Sequence, residues 1–276
     1  MLKSDFQLKL PDRETLDITA YGDECNGDKC LIFIHGFKGF KDWGFFPYAA
    51  EYLAMKGFFV LTFNFSHNGI GKNPVKFTEL DKFAKNTYSR EVSESNEMID
   101  AYLHEYFCIP HNPKIGLLGH SRGGAISLLT ASERNEVKSV ALWASLSKLD
   151  RYSERQKEEW RKNGFMEVLN QRTNQLMRMN ASFLDDMVVN SEKLNLEKAI
   201  RGLNRPLFIA HGEQDLAVPI SEGLEIYNWS NKGITEFYRI EATGHTFDIR
   251  HPFESSNNKF DALLEKTSNF FMKTLN

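Results

Sequence analysis

Six short runs of nearly unbroken apolar residues, at 31–34, 58–63, 115–118, 140–143, 207–210 and 237–240, are set among helix-length segments at 47–56, 89–106, 123–134, 220–230 and 259–274. Unbroken apolarity means that both faces of a strand are buried, which happens when a sheet lies between layers of helices. Strand alternating with helix therefore predicts a mostly parallel, doubly wound α/β sheet. Phe6, Leu8 and Leu10, then Leu16 and Ile18, alternate with polar residues about Pro11-Asp12. That period of two predicts an N-terminal antiparallel hairpin at a sheet edge. From Lys148 to Arg201 there is no strand-like run and charge is dense, while Phe165, Val168, Leu169, Leu176, Met179 and Phe183 recur at helical spacing. This stretch is expected to be an inserted helical cap, giving a core of residues 1–147 and 202–276 and a cap of 148–201.

A chain of 276 residues is long enough to bury a large core. Its 34 basic and 37 acidic residues leave a formal charge of −3, too little to hold nucleic acid or an anionic membrane, so the expected partner is a small molecule. A homodimer is compatible with this composition. Cys25, Cys30 and Cys108 are too few for a disulfide framework, and a Cys25–Cys30 bridge is open but not demanded. The N-terminal residues alternate instead of forming a basic stretch and an apolar block, and no run is long enough to span a membrane, so a cytoplasmic location is expected.

The strongest local signal is Gly119-His120-Ser121-Arg122-Gly123, entered from the apolar run at 115–118 and leading into a helix. A sharp turn between a buried strand and a helix lifts a serine hydroxyl above the sheet, and needs small residues two before and two after it. The serine also stands at a helix N-terminus, where unpaired N–H groups favour developing negative charge. The ordinary explanation, a glycine-rich turn with an incidental serine, does not account for the strand before and the helix after.

With these residues, the chain resembles serine hydrolases of the α/β-hydrolase fold along nearly its whole length, from His35-Gly36-Phe37 through the elbow to Gly244-His245. It is most similar to the small cytoplasmic esterases related to cinnamoyl and feruloyl esterases and to the dienelactone hydrolase-like group. That placement rests on His35-Gly36-Phe37, on Phe63-Asn64-Phe65-Ser66-His67-Asn68-Gly69 and on the cap between late strands. True dienelactone hydrolases carry a cysteine nucleophile, whereas the elbow here holds Ser121, which implies acyl transfer without metal or cofactor.

A serine hydroxyl needs a histidine to take its proton and a carboxylate to hold that histidine in the right tautomer. The resemblance implies the order Ser, acid, His. His245, after the run at 237–240 and behind Gly244, fits the base, with His251 as runner-up. Asp215, in the loop after 207–210, fits the acid, ahead of Asp150, which some members of the fold would favour. His35 and His211 are expected to be structural, and His120 to point away from the nucleophile. The backbone N–H groups of Phe37 and Arg122 are the expected oxyanion donors. Phe40, Phe65, His67 and Phe247 are expected to line an apolar substrate pocket, although phenylalanines belong more often to the core. The expected reaction is hydrolysis of small acyl or aryl esters through an acyl-enzyme. The alternatives are a serine peptidase or amidase of aminopeptidase type, a thioesterase or lactonase, and a non-catalytic binding protein on the same scaffold. The cap residues Glu154, Glu158 and Glu159 read as a solvated face, not as a grip for a free amine.

Overall fold

The structure is a computed structural model, and it describes residues 3–23, 28–109 and 114–276. Cys25 and His111 lie outside the described residues, and so does any bridge from Cys25. The N-terminal hairpin is β1 (Lys3–Lys9) and β2 (Thr15–Tyr21), antiparallel about the turn at Pro11-Asp12. Then follow β3 (Cys30–Ile34), α1 (Phe46–Met55), β4 (Phe59–Asn64), α2 (Leu80–Lys85), α3 (Tyr88–Leu103), β5 (Ile115–His120), α4 (Arg122–Glu133) and β6 (Val137–Trp143). An insertion carries α5 (Glu154–Asn163), β7 (Phe165–Asn170), β8 (Gln175–Asn180), α6 (Ser182–Val189) and α7 (Leu196–Leu203). The chain ends in β9 (Leu207–Gly212), α8 (Ile220–Trp229), β10 (Thr235–Ile240) and α9 (Asn258–Thr274).

Eight strands form one sheet in the order β1-β2-β4-β3-β5-β6-β9-β10. The pairs β4–β3, β3–β5, β5–β6, β6–β9 and β9–β10 are parallel, and only β2 of the N-terminal hairpin runs against them, antiparallel to both β1 and β4. The expected edge hairpin and doubly wound sheet are thus both present. Strands β3, β4, β5 and β9 are buried at every position, as unbroken apolarity requires. Because the six strands from β4 to β10 are parallel, their carboxyl ends share one edge, and the loops that leave it converge. Among the described residues no helix is long and apolar enough to cross a membrane.

The insertion departs from the all-helical expectation. Its centre is a two-stranded antiparallel sheet in which Phe165 pairs with Asn180, Val168 with Met177 and Leu169 with Leu176. Of the residues that recur at helical spacing, Phe183 lies on α6, while the other five sit on a strand pair whose true period is two: Met177 and Met179 are buried, and Leu176 and Arg178 between and beside them are exposed. Short segments satisfy both periods, and the deciding signal is the turn, where Asn174 takes a φ of 54°, a left-handed value that asparagine tolerates. Glu167 and Arg178 pair across the strands at 3.2 Å, and Arg178 lies over the Phe165 ring. Helix α5 is solvated, as its charge implies, and buries only Trp160, whose indole N–H donates to the Met179 carbonyl at 2.7 Å.

Candidate active site

Ser121 follows β5 with φ 58° and ψ −123°, a conformation that costs a residue with a Cβ about 1–3 kcal/mol and persists only where its surroundings enforce it. Here they do. The Ser121 N–H donates to the Trp143 carbonyl at 2.8 Å. A methyl group on Gly119 would come within 2.2 Å of the Gly123 carbonyl oxygen, and one on Gly123 within 2.2 Å of the Ile34 carbonyl oxygen. Both glycines are therefore demanded by close backbone approach. The loop after β3 passes directly over the serine, since a methyl on Gly36 would stand 2.9 Å from the Ser121 Cβ. That brings the backbone of Phe37 to the nucleophile, while Arg122 opens α4, where a first-turn N–H has no partner within the helix.

Asp215 and His245 come from the loops after β9 and β10. His245 Nδ1 lies 2.7 Å from Asp215 Oδ2, and Asp215 Oδ1 accepts from the N–H groups of Ala217 at 2.9 Å and Val218 at 2.8 Å. Burial acts to raise the Asp215 carboxyl, but hydrogen bonds from His211 and His245, the charge on His245 and the Val218 N–H outweigh it and hold the group well below the usual carboxylate range. The two loops are tied together by Glu213 N–H to the Ile240 carbonyl at 3.0 Å and Gln214 N–H to the Thr243 carbonyl at 2.9 Å. Ser121 and His245 line one cavity of about 220 Å³, together with Gly36, Phe37, Lys38, Gly39, Trp43, Phe46, His120, Thr246, Asn170 at the end of β7 and the β7–β8 turn residues Gln171 and Arg172.

The rival assignments fall elsewhere. His251 accepts from the Gly44 N–H at 3.0 Å and packs edge-on to Phe40, and Asp150 is an exposed carboxylate paired with Lys157 at 2.5 Å. His211 is buried, with its Nε2 donating to the Val218 carbonyl at 2.8 Å beside Asp215. In His35, Nδ1 faces the Gly36 carbonyl at 2.9 Å and Nε2 faces the Phe65 N–H at 3.5 Å, which selects the neutral Nδ1–H form. His120 lines the cavity and donates from Nε2 to the His245 carbonyl at 2.9 Å, bracing the loop that carries the base.

Four expected pocket residues do not reach the cavity. Phe40, Phe65 and Phe247 are 2%, 1% and 0% exposed and pack as core aromatics: Phe40 on Phe77, Phe65 on Phe63 and His35, Phe247 on Trp143 and Phe260. A phenylalanine in a loop still goes where the most water is excluded, and these loops fold back into the aromatic layer under the site. His67 is buried too, with Nδ1 bonded to Ser66 Oγ at 2.7 Å. The apolar walls are instead Phe37, Trp43 and Phe46, and Arg172 closes them from the insertion.

Burial pushes the rings of His35 and His120 down, to about 4 and about 3. In the unfolded chain both titrate near 6.5. As pH falls from about 6.5 toward 4 the unfolded chain takes up protons that these rings refuse, so stability declines across that window by up to about 1.4 kcal/mol per pH unit for each ring. The thermal midpoint is expected to drop steeply between about pH 6.5 and pH 4.5; a flat profile there contradicts their burial as neutral rings.

The family model for the alpha/beta hydrolase fold matches residues 29–175. No curated protein sequence matches the chain. Among solved structures, the esterase domain of a Rhodothermus marinus protein is 19% identical, with all of both chains covered and a TM-score of 0.65. Est1E from Butyrivibrio proteoclasticus is 16% identical over 98% of each chain with a TM-score of 0.69, and has also been solved with ferulic acid bound. The monoacylglycerol lipase of Paleococcus ferrophilus is 15% identical over 94% of this chain and 99% of its own, with a TM-score of 0.69. At these identities the likeness is one of fold, and together with the family match over more than half of its residues it means that the chain belongs to the alpha/beta hydrolase fold family.

Proposed function

We propose that the protein is a carboxylic-ester hydrolase with Ser121 as nucleophile, His245 as general base and acid, and Asp215 as the group that orients His245. The observation that carries this reading is the 2.7 Å bond between Asp215 Oδ2 and His245 Nδ1, on the wall of the same cavity as a serine in a strained strand-to-helix turn. The carboxylate accepts from Nδ1–H, which leaves Nε2 bare to take the hydroxyl proton. Ser121 Oγ attacks the carbonyl carbon, and the N–H groups of Phe37 and Arg122 receive the developing charge on its oxygen. The alkoxide departs with the proton from Nε2, and water then repeats the sequence on the acyl-enzyme to release the acid. A cavity of about 220 Å³ is below the roughly 300–1,000 Å³ typical of drug-sized ligands, which favours a small ester. The esterase and lipase names of several structural relatives agree with this reading. We place the reaction in the cytoplasm, in keeping with the sparse cysteines and the buried, free Cys30.

A fluorophosphonate probe tests the reading, because it reacts only with an activated serine. One equivalent of label at Ser121 is expected, with turnover of a p-nitrophenyl ester and little of the matched p-nitroanilide. Equal turnover of the anilide would instead favour a peptidase or amidase, and a folded protein that stays unlabelled would favour a binding role.

A further inference from the structure

Two cations face the cavity from opposite sides. Lys38 comes from the loop over the nucleophile and Arg172 from the β7–β8 turn of the insertion. Each donates to a backbone carbonyl of the other's segment: Lys38 Nζ to Leu169 O at 3.1 Å, and an Arg172 guanidinium N–H to Lys38 O. Carbonyl contacts satisfy N–H groups but leave the charge in place. Among the described residues no Asp or Glu lines this cavity, and neither cation lies within 4.0 Å of a carboxylate. Four other cavities of the molecule each carry at least one carboxylate among their walls. Both cations are also held against apolar rings, Lys38 over Phe37 at 5.5 Å and Arg172 over Trp43 at 5.1 Å, so their heads are aimed by packing as well as by hydrogen bonds. Burial and the charges of Arg172 and Arg122 lower the Lys38 ammonium, and burial followed by Arg172 lowers the His251 ring, as expected where a positive field is not neutralised.

We infer that the cavity selects a substrate bearing a carboxylate or phosphate close to the bond that is cleaved, with Arg172 and Lys38 receiving that anion. A guanidinium offers a planar pair of donors that matches either group, and a lysine adds a mobile point charge. The inference rests on the hydrolase reading for what the cavity is for. It also gives the insertion a definite part, since the same arginine that latches the hairpin to the nucleophile loop supplies the recognition charge.

Binding of unreactive probes tests this without turnover. Hexanoate, pentyl phosphate and hexan-1-ol are titrated into the wild-type protein by ligand-observed NMR. At least one of the anions is expected to bind about tenfold more tightly than the alcohol, and the two anion arms tell carboxylate from phosphate recognition. The preference should shrink with added salt, fall toward unity in Arg172→Gln and survive largely in Arg172→Lys. An alcohol bound as well as both anions, no measurable anion binding, or a preference untouched by Arg172→Gln overturns the inference. Because no probe reacts with Ser121, a failure of fluorophosphonate labelling removes the hydrolase reading and leaves this result to stand on its own, while labelling without anion preference removes only this inference.

Discussion

Replacing Ser121 with alanine is expected to lower kcat on p-nitrophenyl esters by about a million-fold and to abolish fluorophosphonate labelling, the size of loss seen when a triad nucleophile is removed elsewhere. The expectation is large because nothing else on the cavity wall can replace the hydroxyl. His120 is committed to the His245 carbonyl, the Thr246 hydroxyl donates to the Ile249 carbonyl at 2.9 Å, Trp43 and Phe46 offer no nucleophile, and Lys38 is engaged with Leu169. The fold should survive, since alanine keeps the Cβ that the turn already accommodates at φ 58° and leaves the Ser121 N–H to Trp143 bond intact. Circular dichroism and the thermal midpoint should therefore match the wild type. Retention of even about a tenth of the activity removes Ser121 from the role of nucleophile.

The parts of the molecule that were legible in the sequence are those where local chemistry and global fold demand the same residues. Buried parallel strands need unbroken apolar runs, and β3, β4, β5 and β9 supply them. The elbow needs glycines at 119 and 123 because backbone carbonyls stand where their side chains would be. The resemblance implies Asp215 and His245 from the order Ser, acid, His, and the structure brings the two together because β9 and β10, whose loops carry them, are neighbours in the sheet. The β7–β8 hairpin was not legible because its apolar positions satisfy a helical period as well, and only the turn at Asn174 separates the two. The pocket walls were missed for a related reason. Sequence places Phe40, Phe65 and Phe247 near the site but cannot tell a ring that faces the cavity from one that faces the layer beneath, where Phe45, Trp143 and Phe260 already gather. Arg172 could not be brought to the cavity until the hairpin was known, since in a helix its turn would not exist.

Changing Asp215 to asparagine is expected to lower kcat by about ten-thousand-fold with little change in KM, a magnitude known from the same substitution in an unrelated serine protease. The cause is the tautomer of His245. The Ala217 and Val218 N–H groups at 2.9 Å and 2.8 Å fix an oxygen at the Oδ1 position, so an asparagine must turn its NH₂ toward the ring. A donor facing Nδ1 makes Nδ1 the acceptor and puts the proton on Nε2, where it blocks uptake of the proton from Ser121. His211 cannot compensate, because its Nε2–H is already shared between the Val218 carbonyl at 2.8 Å and Asp215 Oδ2 at 3.5 Å. The same change removes a buried charge whose folded-state titration lies below its unfolded value, so the wild type holds that contribution above about pH 4 and loses it as pH falls through the depressed value, and the variant lacks it at every pH. Asp150→Asn is the matched control, since the exposed Asp150 contributes little to stability through its pair with Lys157 and sits away from the cavity. Steady-state rates of the two variants decide the assignment: a drop of less than about tenfold in Asp215→Asn, or a larger one in Asp150→Asn, would move the orienting carboxylate away from position 215.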